Sequence, residues 1–375
     1  INFLFNLTKL IRNMIEVENK ETNSKKVELL EMMTNTSHEQ IVFCQDNETG
    51  LKAIIAIHDT TLGPALGGTR MWEYKEEKDA VKDVLRLSRG MTFKAAITGL
   101  KLGGGKAVIL GDAKTQKNEA LMRRFGSFVD SLNGKYITAE DVGMSTEDMR
   151  FVKMETNYVT GIPIEMGGGG DPSPVTAYGV YMGMKAAAKF KWGSDDLKGK
   201  VVLVQGVGHV GENVVKHLTE EGAKVIINDI NEDNIKRVCE LYNPEVIYGD
   251  SLYEASIDIY SPCALGATLN DDTIPRLKCE IIAGAANNQL DDEVKHAEIL
   301  KDLGILYAPD FLINAGGLIN VYSELNGYNR EEALAQTTKI YDTTLEIFEK
   351  AERESLTTHN AALILAQERI NSAKK

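Results

Sequence analysis

Cysteine, histidine and long apolar runs are all scarce in this sequence of 375 residues. The four cysteines are scattered without a C-x-x-C pair, which argues against a disulfide framework or a zinc site and favours thiols in a reducing compartment. The six histidines form no H-x-x-x-H pattern, so metal catalysis has no visible support. No apolar run approaches the roughly 18 residues of a membrane-spanning helix, and no membrane contact is predicted.

Basic residues are also fewer than acidic residues. The chain has 42 lysines and arginines against 55 aspartates and glutamates, a formal net charge of −13. This balance argues against nucleic acid or an anionic membrane as the main partner. A hydrophobic content of 43% with 26% charged residues is typical of a soluble globular protein, and the length predicts two domains.

The N-terminal segment INFLFNLTKLIRNM carries Lys9 and Arg12 but no acidic residue, and its apolar residues recur at helical spacing. Two interpretations stay open. The segment is an organelle-targeting helix, which would place the protein in mitochondria, or it precedes a start at Met14 in a cytoplasmic protein. Residues 1–36 are predicted to form a flexible N-terminal extension.

From Ile41 onwards, segments typical of strands and of helices follow one another. The predicted strands are IVFCQD (41–46), KAIIAIHD (52–59), KAVIL (106–110) and KYITAED (135–141), and the predicted helices are 76–91 and 118–134. This succession predicts an α/β domain over residues 37–165.

The stretch GLKLGGGKAVI (99–109) places three glycines before Lys106. A phosphate-binding loop needs a glycine five residues before Gly-Lys and a hydroxyl residue after them. Leu100 and Ala107 occupy those two positions, so the phosphate loop is excluded and Lys106 needs another role.

A second α/β domain is predicted over residues 172–339, after a glycine-rich hinge at 165–174. The strand VVLVQ leads into Gly206, Gly208 and Gly211, which satisfy G-x-G-x-x-G, and a second strand ends at Asp229. This context predicts a Rossmann domain, doubly wound, whose helix N-terminus binds the pyrophosphate of a dinucleotide. Asp229 would bond the ribose hydroxyls and repel a 2′-phosphate, which favours NAD over NADP.

In the remainder of the chain, predicted strands and helices continue to alternate. Short buried strands are predicted at 258–265, 280–286 and 305–311, and two helices, 340–354 and 363–370, close the chain. We expect residues of about 340–375 to fold back onto the first domain. A cleft between two such domains is the expected place for hydride transfer.

Six motifs resemble the amino-acid dehydrogenase family, which includes glutamate, leucine, valine and phenylalanine dehydrogenases. They are GPALGGTRMW (63–72), RGMTFKAAITGLKLGGGKAVILGD (89–112), YITAEDVGMS (136–145), DPSPVTAYGVY (171–181), AGAANNQL (283–290) and APDFLINAGGLINV (308–321). The resemblance covers residues of about 40 to 370 and is closest to the leucine-specific branch.

The resemblance implies roles for five residues. Lys94 would hold the α-carboxylate of the substrate, Lys106 would activate water, and Asp141 would exchange protons with the amino group. One of Asn287 and Asn288 would orient the substrate beside the nicotinamide. The glycines before Lys106 would let the backbone approach substrate and cofactor.

The resemblance also implies the residues around the cofactor and the substrate side chain. The cofactor set is Gly206, Gly208, His209, Val210, Gly211, Asp229 and Thr176. The substrate pocket would add Leu66, Gly67, Met91, Leu318 and Val321. Glutamate-specific relatives have a lysine at the position of Leu66 and a serine at that of Val321. An apolar pocket would penalise a buried carboxylate, so glutamate is disfavoured.

Four positions depart from the family pattern. Gly169, Gly170 and Asp171 replace a serine and an asparagine usual near the cofactor, and His209 stands where asparagine is common. A lost hydroxyl and an added negative charge would weaken binding of NAD.

The resemblance implies reversible, NAD-dependent oxidative deamination of L-leucine and other branched-chain amino acids, giving 2-oxo acids and ammonium. Two alternatives stay open: a phenylalanine-type enzyme, and a catalytically silent relative that binds NAD. A homo-oligomer is expected, since an octamer is typical of the leucine branch.

Overall fold

The computed structural model describes residues 29–374, so the expectations for residues 1–28 lie outside it. The chain divides after Asn35 into two compact units. A first helix, α1 (Leu29–Thr36), covers the described part of the N-terminal unit. The second unit contains two β-sheets with their covering helices, which confirms the predicted α/β class with two sheet-based lobes.

The first lobe is a mixed five-stranded sheet in the order β1-β2-β4-β3-β5. Its strands are β1 (Gln40–Gln45), β2 (Lys52–Asp59), β3 (Ala65–Trp72), β4 (Gly103–Leu110) and β5 (Tyr136–Glu140). Its helices are α2 (Glu77–Ile97), α3 (Glu119–Asp130) and α4 (Thr146–Lys153). Strands β3, β4 and β5 run parallel, whereas β2 is antiparallel to both of its neighbours.

Side chains of the central strands alternate between two apolar clusters on opposite faces of this sheet. Ala65 and Ala107 belong to the cluster that includes residues of α3 and α4. Leu66 and Ile137 belong to the cluster that includes residues of α2. By this period of two, Lys106 shares the α2 face with Gly104.

Strand β4 begins at Gly103, three residues before the predicted start at Lys106, so the glycine run is a regular part of the strand. A Cβ on Gly104 would lie 2.1 Å from the Thr92 nitrogen in α2, and one on Gly105 would lie 2.7 Å from the Tyr136 ring. A Cβ on Gly67 in β3 would lie 1.7 Å from the Gly105 carbonyl oxygen. These glycines therefore let α2 and the strands pack backbone against backbone.

Helix α2 continues two turns beyond the predicted end, so that Lys94 lies inside its last turn. Two buried histidines lie beneath it. The Nε2 atom of His38 is 2.8 Å from Ser88 Oγ, and the Nδ1 atom of His58 is 2.8 Å from Thr92 Oγ1. Burial lowers the pKa of His38 to about 4 and lowers that of His58, so both rings are neutral at pH 7 and serve as hydrogen-bonding supports.

The second lobe is a parallel six-stranded sheet in the order β11-β10-β9-β6-β7-β8. Its strands are β6 (Val201–Gln205), β7 (Lys224–Asn228), β8 (Glu245–Val246), β9 (Ile259–Pro262), β10 (Ile281–Ile282) and β11 (Leu306–Tyr307). The chain order reverses between β6 and β9. The crevice at their carboxyl ends is the place where open α/β sheets bind ligands.

The helices of this lobe include α5, which begins at Ser173, inside the predicted hinge of residues 165–174. They are α5 (Ser173–Trp192), α6 (His209–Glu221), α7 (Glu232–Tyr242), α8 (Lys295–Asp302), α9 (Asp310–Ile313), α10 (Gly316–Glu324) and α11 (Arg330–Thr338). Three 3-10 turns lie at Ile164–Met166, Gly249–Glu254 and Ile274–Arg276.

Two long helices end the described chain, as the periodicity predicts. Helix α12 (Ile340–Glu354) packs on α5, and α13 (Thr358–Ala373) packs on α2 of the first lobe. Arg369 of α13 donates hydrogen bonds to the carbonyls of Ala96 and Ile97 at the end of α2. These contacts link the C-terminal helix to the helix that carries Lys94.

Among residues 29–374, none of the helices is both long enough and apolar enough to cross a membrane.

The packing at β4 predicts that Gly104→Ala destabilises the protein. Its new methyl group would collide with the Thr92 nitrogen, and we expect a loss of at least about 2 kcal/mol in the free energy of unfolding, measured in urea. Gly90→Ala, in the same α2, meets no atom within 4 Å and should stabilise by about 0.5–1 kcal/mol. Equal stability changes in the two variants would contradict this account.

Candidate active site

An ion pair lies at the centre of the α2 face of the first sheet. Lys106 projects from the middle of β4, and Asp141 follows the last residue of β5. The Lys106 Nζ atom is 2.9 Å from Asp141 Oδ2, and the lysine side chain is only 8% exposed. Gly68 of the intervening β3 leaves room for this contact, since a Cβ there would lie 3.0 Å from the Asp141 Cβ. The two residues predicted to be catalytic are thus in direct contact.

A second cation, Arg70, contacts the same carboxylate oxygen, and the sequence reasoning missed it. The Arg70 Nε atom is 3.1 Å from Asp141 Oδ2, and one of its terminal nitrogens is 2.9 Å from Asp83 Oδ2 on α2. Arg70 lies inside the motif GGTRMW, which was used only to identify the family. The signal available in the sequence was an arginine two residues after the glycine pair Gly67 and Gly68, inside a family motif.

The charge of Asp141 reflects two opposing effects. Burial, the largest influence, raises its pKa, but the Lys106 ammonium, its hydrogen bond and the Arg70 guanidinium together lower it. The net pKa of Asp141 is below its ordinary value. The group is therefore a carboxylate at neutral pH, and able to accept a proton.

Lys94 contributes a third cation to this face. Part of its side chain is accessible, yet burial of the ammonium lowers its pKa to about 8. The neighbouring charge of Lys106 lowers this pKa further, whereas Asp310 and Asp141 raise it. Lys94 therefore loses its charge in a pH range where ordinary lysines keep theirs.

Asp310, which acts on Lys94, belongs to the second lobe and was also missed by the sequence reasoning. Its carboxylate accepts hydrogen bonds from the backbone nitrogens of Gln289, at 3.1 Å, and Phe311, at 2.8 Å. Burial raises the pKa of Asp310, partly offset by these bonds and by the charges of His359 and Lys94. Because α9 packs on both α2 and α5, Asp310 joins the two lobes at the cleft.

The predicted asparagines lie on an exposed loop after β10. Asn314 donates a hydrogen bond to Asn287 Oδ1 at 2.8 Å and another to the Ala285 carbonyl at 3.1 Å. Asn288 has a left-handed backbone with φ +51°. Together with the Asp310 bond to Gln289, these contacts anchor the loop at both ends, and Asn287 and Asn288 are exposed residues within it.

The predicted pocket residues are apolar and gathered in one cluster. Leu66 and Leu318 are buried members of the cluster on the α2 face, and Met91 and Val321 are half-buried against it. Gly67 is buried in β3, between β4 and β5. No charged side chain belongs to this set.

The turn after β6 has the shape that a bound dinucleotide requires. Gly206 has φ +91°, and a Cβ on Gly211 would lie 1.9 Å from the Gly206 carbonyl oxygen. A Cβ on Gly208 would meet no atom within 4 Å, so the start of α6 faces open space. The Asp229 carboxylate accepts hydrogen bonds from the nitrogens of Val207 and Asn231, both at 2.8 Å. These residues fit a dinucleotide, because free helix N–H groups lie beside a half-exposed carboxylate.

The other residues predicted to bind the cofactor lie on two helices. His209 and Val210 begin α6, with His209 82% exposed. Thr176 lies on α5, where its hydroxyl donates to the Pro172 carbonyl at 3.0 Å. A Cβ on Gly317 would be 3.1 Å from the Thr176 Oγ1 atom, so this threonine borders the start of α10.

The departures from the family pattern have local structural reasons. A Cβ on Gly169 would lie 2.6 Å from the Tyr328 ring, and Gly170 has φ +70°. Asp171 Oδ1 accepts a hydrogen bond from the Ser173 nitrogen at 2.9 Å, ahead of α5. Its other oxygen is 3.9 Å from His209 Nδ1, so the added negative charge faces the added imidazole.

In the part of the chain that the structure describes, no group of histidine, cysteine and acidic residues could hold a metal ion. Cys44, Cys239, Cys263 and Cys279 are all unpaired.

Two family models cover most of the chain. The Glu/Leu/Phe/Val dehydrogenase dimerisation domain matches residues 38–158, and the Glutamate/Leucine/Phenylalanine/Valine dehydrogenase domain matches 167–231 and 227–375. Leucine dehydrogenases of Thermoactinomyces intermedius and Geobacillus stearothermophilus are each 55% identical over 349 residues, 93% of this chain and 95% of theirs. The crystal structure of L-tryptophan dehydrogenase from Nostoc punctiforme aligns with a TM-score of 0.84 at 47% identity, covering 92% of this chain and 100% of that one.

The lowered pKa of Lys94 is testable by chemical labelling, because only the unprotonated amine reacts with an acylating reagent. Labelling of Lys94, followed by peptide mass spectrometry, should show a midpoint near pH 8. Asp310→Asn removes a charge that raises this pKa and should shift the midpoint to lower pH. Glu77→Gln, at the exposed start of α2, serves as the control. A midpoint near that of ordinary lysine, about 10.4, would contradict the assignment.

Proposed function

Because the chain belongs to the glutamate/leucine/phenylalanine/valine dehydrogenase family, we propose that it catalyses the reversible, NAD-dependent oxidative deamination of L-leucine and other branched-chain amino acids. The products are the 2-oxo acid, ammonium, NADH and a proton. The observation that carries this proposal is the contact of 2.9 Å between Lys106 and Asp141, next to Lys94, whose charge also interacts with Asp310 of the second lobe.

Substrate binding starts from the Lys94 ammonium, which pairs with the α-carboxylate of the amino acid. This pairing offsets part of the cost of holding Lys94 charged in a desolvated place. Since Lys94 lies in the last turn of α2, close to the helix C-terminus, the helix dipole also favours its positive charge. The carboxylate is thereby fixed next to the pair of Lys106 and Asp141.

Proton transfer begins at Asp141, which accepts a proton from the substrate ammonium and leaves a neutral amine. A bound NAD would supply the acceptor for the hydride of Cα, and loss of this hydride would turn the substrate into an iminium ion. Water then adds to the iminium carbon while Lys106, in its neutral form, takes a proton from that water. Asp141 returns its proton to the nitrogen, the C–N bond breaks, and ammonia leaves with the hydroxyl proton as ammonium. The proton on Lys106 passes to solvent, which completes the balance.

The cofactor would be held by the glycine turn at Gly206, Gly208 and Gly211 and by the first N–H groups of α6, from His209 and Val210. Asp229 supports NAD over NADP, because its carboxylate would bond the ribose hydroxyls and repel a 2′-phosphate. Thr176 of α5 would also contact the cofactor.

The choice of an apolar substrate rests on the pocket. Leu66 and Val321 stand where glutamate-specific relatives supply a lysine and a serine. A glutamate side chain would therefore bury its carboxylate without a partner. Met91 and Leu318 add apolar surface suited to a branched aliphatic side chain.

We also propose that the chain assembles into a homo-oligomer, with an octamer as the expected size. The family model over residues 38–158 is described as a dimerisation domain, which supports the first lobe as the contact surface. A cytoplasmic location is proposed as well, consistent with four unpaired cysteines. The mitochondrial alternative depends on residues 1–14, which lie outside the described residues.

The catalytic assignment is tested by NADH formation with leucine for the wild type and two variants of Lys106. Lys106→Arg keeps a cation beside Asp141 but cannot act as a base, since the arginine pKa exceeds 12. We expect kcat to fall at least about 100-fold in Lys106→Arg and further in Lys106→Ala. Lys101→Ala, an exposed lysine just before β4, is the matched control and should keep wild-type activity.

The substrate assignment is tested in the same assay with valine, isoleucine, phenylalanine, tryptophan and glutamate, and with NADP in place of NAD. Leucine should give the highest kcat/KM and glutamate no measurable rate. A preference for phenylalanine or tryptophan would overturn the substrate but not the chemistry. A wild-type protein that binds NAD and turns over none of these amino acids would overturn the proposed reaction.

The pKa of Lys94 predicts how carboxylate binding depends on pH. Lys94 is charged below its pKa of about 8 and neutral above it, so affinity for a carboxylate should be constant below pH 8 and fall above it. The ligand 4-methylpentanoate, which lacks the amino group, isolates this effect in calorimetric titrations with NADH present. Lys94→Gln should bind weakly at every pH, and Lys101→Ala should follow the wild type. Affinity that stays constant up to pH 10 would contradict the role of Lys94.

A further inference from the structure

Arg70 connects the catalytic carboxylate with the helix that binds the substrate. Its Nε atom donates to Asp141 Oδ2 at 3.1 Å, and a terminal nitrogen donates to Asp83 Oδ2 at 2.9 Å. Asp83 also accepts a hydrogen bond from the Tyr74 hydroxyl at 2.7 Å. The Arg70 side chain is 23% exposed, so the guanidinium is held between two anions rather than free in solvent.

The second anchor of Arg70 shares a face of α2 with Lys94. Asp83 and Lys94 are eleven residues apart, which is close to three turns of an α-helix. Arg70 on β3 therefore ties Asp141 to the same helix that places Lys94. A shift of α2 would therefore move Lys94 and, through Asp83 and Arg70, Asp141 together.

We propose that Arg70 is a positioning residue of the deamination, which keeps Asp141 ionised and oriented when Lys106 is neutral, before Asp141 accepts the proton of the substrate ammonium. The inference rests on the proposed function. Lys106 must lose its proton to accept one from water, and at that moment its ion pair with Asp141 is lost. Arginine stays charged at every working pH, so Arg70 remains a partner of Asp141 Oδ2 throughout the cycle.

The geometry explains why Lys106 alone would not keep Asp141 ionised. Both Lys106 and Arg70 contact the single oxygen Oδ2, and the two cations approach it from neighbouring strands. Without Arg70, Asp141 would face a neutral Lys106 in a half-buried place, and desolvation would favour its protonated form. A protonated Asp141 cannot accept a proton from the substrate ammonium.

The charged and titratable groups around Asp141 come from four elements. Lys106 approaches from β4, Arg70 from β3 and Lys94 from α2, whereas the Tyr136 phenol of β5 lies on the opposite face of the sheet, in the cluster with Ala65 and Ala107. Lys106 and Arg70 make direct contacts with the carboxylate, and of these two only Arg70 keeps its charge when Lys106 acts as a base.

The test compares Arg70→Gln, Arg70→Lys and a matched control, Arg86→Gln. Arg86 lies on α2, is 59% exposed and contacts Asp83 at 3.3 Å on its other oxygen. In Arg70→Gln we expect kcat/KM for leucine to fall at least about tenfold and the acidic limb of its pH profile to move upwards by about one pH unit. In Arg70→Lys the acidic limb should lie close to its wild-type position, because the lysine restores a positive charge next to Asp141. Arg86→Gln should match the wild type in both readouts.

A merely structural role for Arg70 predicts a different pattern. Activity would then fall in proportion to the loss of folded protein, the acidic limb would stay in place, and Arg70→Lys would not restore it. That pattern would overturn the inference. The Kd of NADH, followed by its fluorescence, should be unchanged in Arg70→Gln, since the second lobe binds the cofactor.

Asp83→Asn is the second variant if Arg70→Gln fails to fold. It releases the far anchor of Arg70 but leaves the charge next to Asp141, so we expect kcat to fall while the acidic limb stays near its wild-type position. If the acidic limb moves by about one pH unit in Asp83→Asn, the charge of Arg70 and its orientation do not act separately on Asp141, and this part of the inference is wrong.

A readout without turnover separates this inference from the proposed function. Protein labelled with 13C-aspartate can be titrated by difference infrared spectroscopy, with Asp141→Asn identifying the signal of Asp141. The midpoint of that signal should rise in Arg70→Gln. If the wild type fails to deaminate leucine while the midpoint still rises, the proposed reaction fails and the charge role of Arg70 stands. If leucine is deaminated and neither midpoint nor limb moves, the inference fails alone.

Discussion

The close approach of backbones at the glycines of β3 and β4 is the constraint on which the candidate site depends. Gly67, Gly68 and Gly104 each lie where a Cβ would overlap a neighbouring backbone atom. Their absence of side chains brings α2 onto the sheet and lets Asp141 reach Lys106. An ion pair that is largely removed from water is strong enough to hold its geometry only when its partners are placed this closely.

The second lobe contributes a polar surface that complements the ion pair of the first lobe. It supplies an open turn at Gly208, a half-exposed Asp229 and an anchored loop carrying Asn287 and Asn288, all at the carboxyl edge of a parallel sheet. Asp310 connects this edge with the first lobe, since it fixes the Gln289 backbone and acts on the charge of Lys94. Groups of both lobes therefore set the pKa of Lys94.

Sequence patterns predicted the α/β class, most of the strands and helices and the dinucleotide turn, because these depend on local periodicity and on glycines in a strand–turn–helix context. The patterns placed the start of β4 at Lys106, whereas the strand begins at Gly103. Three consecutive glycines suggest flexibility, yet their neighbours in space, Thr92 and Tyr136, make them part of a tightly packed strand. The end of α2 was misplaced for a similar reason, since packing on β4 extends the helix to Ile97.

The sequence by itself determined which chemistry was available: two lysines and an aspartate in family motifs, an apolar pocket and a glycine turn followed by Asp229. Only the tertiary structure decided that Lys106 and Arg70 meet at one oxygen of Asp141, and that Asp83 and Asp310 stabilise the cations around it. The physical reason is that charge interactions depend on distance and burial, and both are set by parallel strands and a helix that are far apart in the chain. A pattern of residue types along the chain contains neither quantity.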